Sequence, residues 1–115
     1  MSIVHYEGEL GVFEYDDEMF EINEYIHYIG SSSPVIPKGV KDCSFMFEDC
    51  RTLKEAPIIP EGVKNCNGMF GRCISLKEAP VIPEGVKYCS YMFYGCTSLK
   101  EAPAPTIFDG VREYK

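Results

Sequence analysis

Residues 34–56 read PVIPKGVKDCSFMFEDCRTLKEA, residues 57–79 read PIIPEGVKNCNGMFGRCISLKEA, and residues 80–102 read PVIPEGVKYCSYMFYGCTSLKEA. The copies are equal in length and follow one another without insertion, and fourteen positions are the same in all three. A unit this short cannot bury a core alone, so stability requires each copy to cover its neighbour. The pattern predicts an α/β solenoid with short stacked parallel strands and one- to two-turn helical segments. In such a stack each repeated apolar residue becomes a column through the core: Val40/Val63/Val86, Met46/Met69/Met92, Phe47/Phe70/Phe93 and Leu53/Leu76/Leu99.

Local signals place the elements. Pro37, Pro60 and Pro83 stand two residues before Gly39, Gly62 and Gly85, which is turn chemistry. Ser44, Asn67 and Ser90 precede the Met-Phe pairs as helix N-caps would, so helical turns are expected at 45–50, 68–73 and 91–96. The strands are expected within Leu53–Ile59 and its copies, kept short by Pro57, Pro80 and Pro103, which lack an N–H. A fourth copy starts at Pro103 and then departs, so residues 103–115 read as a C-terminal cap.

The Met-Phe-x-x-Cys-x-x-Leu core, seen as Met92-Phe93-Tyr94-Gly95-Cys96-Thr97-Ser98-Leu99, resembles the BspA-like family of leucine-rich repeats over roughly residues 34–103. The resemblance implies a leucine-rich-repeat-like solenoid and a binding surface, as in bacterial and protist proteins, many of them surface-attached. A short version with three coils and no export signal is closer to products of phages and other mobile elements than to an adhesin.

Outside the repeats the chain changes character. Residues 1–30 hold Glu7, Glu9, Glu14, Asp16, Asp17, Glu18, Glu21 and Glu24 with no Lys or Arg, a net charge of −8. The whole chain carries −7, so everything after this segment is close to neutral. The same segment is rich in β-branched and aromatic residues, as strands are. Asp16-Asp17-Glu18, between Phe13-Glu14-Tyr15 and Met19-Phe20-Glu21-Ile22, reads as the turn of an antiparallel hairpin. Residues 1–33 are therefore expected to form an acidic β-hairpin cap on the first repeat, and all 115 residues one domain.

The candidates for chemistry are few. Six cysteines at 43, 50, 66, 73, 89 and 96 recur as Cys-x6-Cys, which is not the Cys-x2–4-Cys spacing of zinc sites. They read as reduced structural thiols, with disulfides or a metal site as the other two readings. His5 and His27 are the only histidines, and no catalytic triad, phosphate loop or His-Glu-x-x-His motif is present. The expectation is a protein that is not an enzyme and has no cofactor. No apolar run is long enough to span a bilayer, and Met1–Glu7 does not look like a secretory signal. A cytoplasmic location is expected, in a bacterium or in the host of a phage.

What varies between copies points to binding. Positions 42/65/88, 45/68/91 and 48/71/94 are free to change, and the third copy fills them with Tyr88, Tyr91 and Tyr94. That spacing puts three tyrosines on one helical face. Phe45 is the aromatic of the first copy. These side chains are either interface anchors or packing beneath the C-terminal segment near Ile107 and Phe108. With the eight acids they form the expected partner-binding set. The partner is a protein with a basic surface, and direct contact with nucleic acid or membrane is not expected. The sharpest form of this reading is an anti-CRISPR-like inhibitor whose carboxylates occupy the nucleic-acid path of a nuclease. The alternative is a structural or adhesive repeat fragment related to bacterial surface proteins. Self-association through incompletely capped coils is a further possibility, giving a monomer or a weak oligomer.

Overall fold

The computed structural model describes residues 3–22, 24–30 and 34–100. Four strands occur among them, paired as two antiparallel hairpins: β1 (Val4–Gly8) with β2 (Gly11–Tyr15), and β3 (Met19–Ile22) with β4 (Tyr25–Tyr28). In the first hairpin Val4 faces Tyr15 and Gly8 faces Gly11. In the second Met19 faces Tyr28 and Ile22 faces Tyr25.

The single hairpin expected around Asp16-Asp17-Glu18 is therefore corrected to two. Those residues link one hairpin to the next, because β2 turns back on β1 and β3 pairs forward with β4. The link is still a turn: Met19 N–H donates to Asp16 O at 3.1 Å, and Glu18 N–H to Asp16 Oδ1 at 3.0 Å.

Both hairpins sit on the first repeat. Lys41 N–H donates to Leu10 O at 2.7 Å, Val12 N–H donates to Gly39 O at 3.3 Å, and Gly11 forms an antiparallel bridge with Val40. Gly11 and Gly39 both have positive φ, 131° and 101°. A Cβ on Gly11 would collide with Gly39 O, and one on Gly39 with Val12 O, so this junction requires glycine on both sides. In the second hairpin Tyr28 N–H donates to Met46 O at 2.8 Å, and His27 Nδ1 lies 3.1 Å from Phe45 O.

The repeats do not form the expected α/β solenoid with helical segments and strand stacks. No helix occurs among the described residues, and the only sheets there are the two hairpins. The stretches at 45–50, 68–73 and 91–96 are chains of tight turns. In the first, the N–H groups of Met46, Glu48 and Cys50 turn back to the carbonyls of Cys43, Phe45 and Phe47. The N–H groups between them leave the segment. Phe45, Phe47 and Asp49 donate to Asn67, Met69 and Gly71 of the next copy, at 3.0, 2.9 and 2.7 Å. Half the donors a helix would need are thus bonded to a neighbouring copy.

The dihedrals agree. Phe45, Gly68 and Tyr91 hold φ of 58°, 60° and 58°, and Asp49, Arg72 and Gly95 hold 65°, 60° and 74°. A left-handed residue every fourth position interrupts any right-handed helix. The expected N-caps serve otherwise. Asp42 Oδ1 accepts Ser44 N–H, Asn65 Oδ1 accepts Asn67 N–H, and Asn67 Oδ1 accepts Ser90 N–H across copies.

Strand pairing between copies is reduced to single-residue parallel bridges, Asp42–Asn65, Asn65–Tyr88 and Glu55–Glu78. At Glu55–Glu78 the following prolines, Pro57 and Pro80, remove ladder donors, and beyond Asp42, Asn65 and Tyr88 the left-handed residues Phe45, Gly68 and Tyr91 break the extended path.

The core follows the repeat. Val40, Val63 and Val86, the three Met-Phe pairs, and Cys43, Cys66 and Cys89 are buried. Leu76 is buried, while Leu53 and Leu99 in the outer copies are partly covered. The rings of Phe47 and Phe70 stack 5.5 Å apart at 9°, and those of Phe70 and Phe93 5.8 Å apart at 2°. Tyr28 continues this column onto the second hairpin, 5.4 Å from Phe47. Burying each ring contributes roughly 1.5–3 kcal/mol. The expected C-terminal cap, with Ile107 and Phe108, lies outside the described residues.

Candidate functional site

The acids at the start of the chain lie on both hairpins and on the turn that links them. Glu7, Glu9, Glu14, Asp17, Glu21 and Glu24 are exposed, while Asp16 and Glu18 are half-buried. Strand alternation explains Glu14: on β2, Gly11, Phe13 and Tyr15 turn inward, and Val12 and Glu14 outward. Glu14 Oε2 lies 4.0 Å from His5 Nδ1, both side chains being well exposed. Tyr15 has its phenol pKa raised, first by burial and then by the charge of Glu21 and by Tyr6.

Glu14, Asp16 and Glu18 converge on a cavity of about 440 Å³. Its apolar wall is built by Met19, Tyr28 and Val35. The cavity thus joins both hairpins to the first Pro-x-Ile-Pro stretch.

The aromatic set divides. Tyr88, Tyr91 and Tyr94 are 51%, 54% and 51% exposed. They share no helical face, since the segment is not helical, but the Tyr91 and Tyr94 rings still meet edge-on with centroids 6.4 Å apart. Phe45 is only half-exposed. It packs against Tyr25 at 5.4 Å and covers Gly68, which makes it a packing residue rather than an exposed anchor.

The cysteines are free thiols, and they are tied into the packing. Cys73 Sγ donates to Phe47 O at 3.1 Å and Cys96 Sγ to Phe70 O at 3.0 Å, each to the preceding copy. Cys50 Sγ lies 3.8 Å from Tyr28 O. Burial pushes the Cys50 thiol up to about 11, with Asp49 adding to it, and moves Cys43, Cys73 and Cys96 in the same direction. Such thiols are poor nucleophiles near neutral pH. Among the described residues no group of three or more His, Cys, Asp or Glu is placed to hold a metal ion. No described helix is long and apolar enough to cross a membrane.

The chain matches no protein-family model, no curated protein and no solved structure. Function must therefore be argued from the surface itself.

One surface feature escaped the sequence reading. Val35, Ile58 and Val81 occupy the same repeat position and are 81%, 89% and 87% exposed. The signal was present in the paired aliphatics of Pro-Val-Ile-Pro and Pro-Ile-Ile-Pro. In an extended segment two consecutive side chains point opposite ways, so one of each pair must face out. Ile36 and Ile59 are buried, Ile82 is partly so, and their neighbours are the exposed ones.

Proposed function

We propose that this chain is a non-enzymatic protein-binding module whose partner presents a basic surface. The observation that carries the reading is the segregation of charge: eight acids and no Lys or Arg in residues 1–30, carried on two hairpins with six of the eight exposed. Such a surface attracts cationic partners and speeds their encounter. Three half-exposed tyrosines in the third repeat supply aromatic anchors of the kind that dominate protein interfaces.

The sharper form is an inhibitor that occupies the nucleic-acid path of a basic enzyme such as a CRISPR nuclease, encoded by a phage or another mobile element. The test has two steps. The tagged chain is used as bait in a nuclease-treated bacterial lysate at low salt, and the bound proteins are read by mass spectrometry. A recovered enzyme is then assayed with the wild type and with a variant neutralised at Glu14, Asp16, Asp17, Glu18 and Glu21. Binding that weakens as salt rises, and inhibition lost in the variant, support the reading. Inhibition unchanged by neutralisation refutes the acidic mechanism.

A further inference from the structure

The exposed aliphatic stripe, which protein binding through acids and tyrosines does not use, is continuous with the cavity. Val35 belongs to both. The segments that carry Ile58 and Val81 lie side by side, because the parallel bridges Glu55–Glu78 and Asn65–Tyr88 flank them, and the Asp42–Asn65 bridge sets the segment of Val35 beside that of Ile58. The step between copies is the one seen in the phenylalanine column, 5.5 and 5.8 Å. The stripe is therefore a row of three aliphatic side chains that ends, at the first repeat, in a cavity rimmed by Glu14, Asp16 and Glu18.

We infer that this row and cavity bind an extended polypeptide segment of a partner, with an Arg or Lys in the cavity and apolar side chains along Val35, Ile58 and Val81. The inference rests on the protein-binding reading and names the face and the chemistry of the partner. Charge complementarity selects the occupant. A cation entering the cavity meets the carboxylates of Glu14, Asp16 and Glu18, while its aliphatic stem lies on Met19, Tyr28 and Val35. Nucleic acid and anionic bilayers are repelled by the same carboxylates. The prolines select the mode. Pro34, Pro37, Pro57, Pro60, Pro80 and Pro83 lack N–H donors, so the partner is held by side chains and not by an added strand. The residue before a proline favours extended backbone, so Ile36, Ile59 and Ile82 hold the row in shape before any partner arrives.

The probe is a phage-displayed library of short random peptides, selected on the full chain at low salt. It is counter-selected on the triple variant Val35→Ser, Ile58→Ser, Val81→Ser. These side chains are more than four-fifths exposed, so the variant is expected to keep the wild-type melting temperature. The expected consensus places Arg or Lys beside two or more aliphatic or aromatic residues. The synthetic consensus peptide should shift the methyl signals of Val35, Ile58 and Val81 in the wild type. It should bind roughly tenfold more weakly to the triple variant, and also to Glu14→Gln/Asp16→Asn.

No enrichment over the counter-selection, a consensus without a basic residue, or unmoved methyl signals would each overturn the inference, and the methyl test needs no variant. A chain mass that rises with concentration and falls back in the triple variant would assign the row to a second copy and also overturn it. A lysate partner that binds the triple variant as tightly as the wild type overturns this face while leaving the protein-binding reading intact. If the wild type retains no partner from the lysate while the peptide result holds, the acidic-inhibitor form fails and this face stands.

Discussion

The ring of Phe45 lies on the backbone of Gly68, so close that a Cβ built there would collide with Cε1 and Cδ1 of the ring. Gly68 also holds φ of 60°, and its counterparts are Phe45 itself and Tyr91, both at 58°. One position in three consecutive copies thus alternates aromatic, glycine, aromatic. The Phe45 ring fits because the next copy has no side chain at this position.

Gly68→Ala is expected to combine two costs, left-handed strain of about 1–2 kcal/mol and the collision with the Phe45 ring. In a Phe45→Ala background the collision disappears and only the strain remains. Urea unfolding of the two single variants and the double variant should give a non-additive cycle. Strict additivity would show that the ring does not press on Gly68.

Phe70 is the centre of the stacked column, with a ring on either side. Phe70→Ala should cost about 3–5 kcal/mol, enough to unfold a marginal domain at room temperature. Phe70→Leu should retain more of that stability. Thermal melts followed by circular dichroism decide the order.

Arg72 is exposed and holds φ of 60°, at the position where the third copy has Gly95. Arg72→Gly should stabilise the protein by about 1 kcal/mol through relief of that strain. A lower unfolding midpoint would mean that the Arg72 side chain, which packs against Gly95, contributes more than the strain costs.

The buried thiols make stability depend on alkaline pH. Folding raises the pKa of Cys50 from 9.0 to about 11 and raises Cys43, Cys73 and Cys96 as well. The folded state therefore keeps protons that the unfolded state loses above pH 9. The stabilising contribution is complete below pH 9 and is lost as pH rises through the folded values. Melting temperature should be flat from pH 7 to 8.5 and should fall steadily from about pH 9 to 11. Cys50→Ala should reduce the slope. Under denaturant six thiols should titrate, and in the native state near pH 8 they should react slowly.

The columns were legible because a side chain repeated at one fixed spacing can be buried in every copy only if the copies stack on one another. Phe47, Phe70 and Phe93 show this directly. The path between the columns was not legible as helix and strand. Ser44 and its copies carry the composition of a helix start, and Met46-Phe47 that of a helix interior. The alternate N–H groups of Phe45, Phe47 and Asp49 nevertheless find better partners in the next copy. No window of local sequence contains that competitor. The hairpin pairing was hidden for a related reason. Asp16-Asp17-Glu18 is good turn chemistry, but which strands pair across a turn depends on the register of residues on both sides.

The surface divides in the same way. Sequence alone determined that the acids are gathered at the start of the chain, that three copies superpose, and that six cysteines recur in two columns. Charge and period are sums and spacings along the chain, and folding does not alter them. Tertiary structure alone decided that Phe45 is committed to Gly68, that Val35, Ile58 and Val81 face outward, and that Glu14 and Asp16 share a cavity with Val35. These facts depend on which backbone donors cross between copies and which turn back within one. That competition is resolved only when the whole stack is assembled.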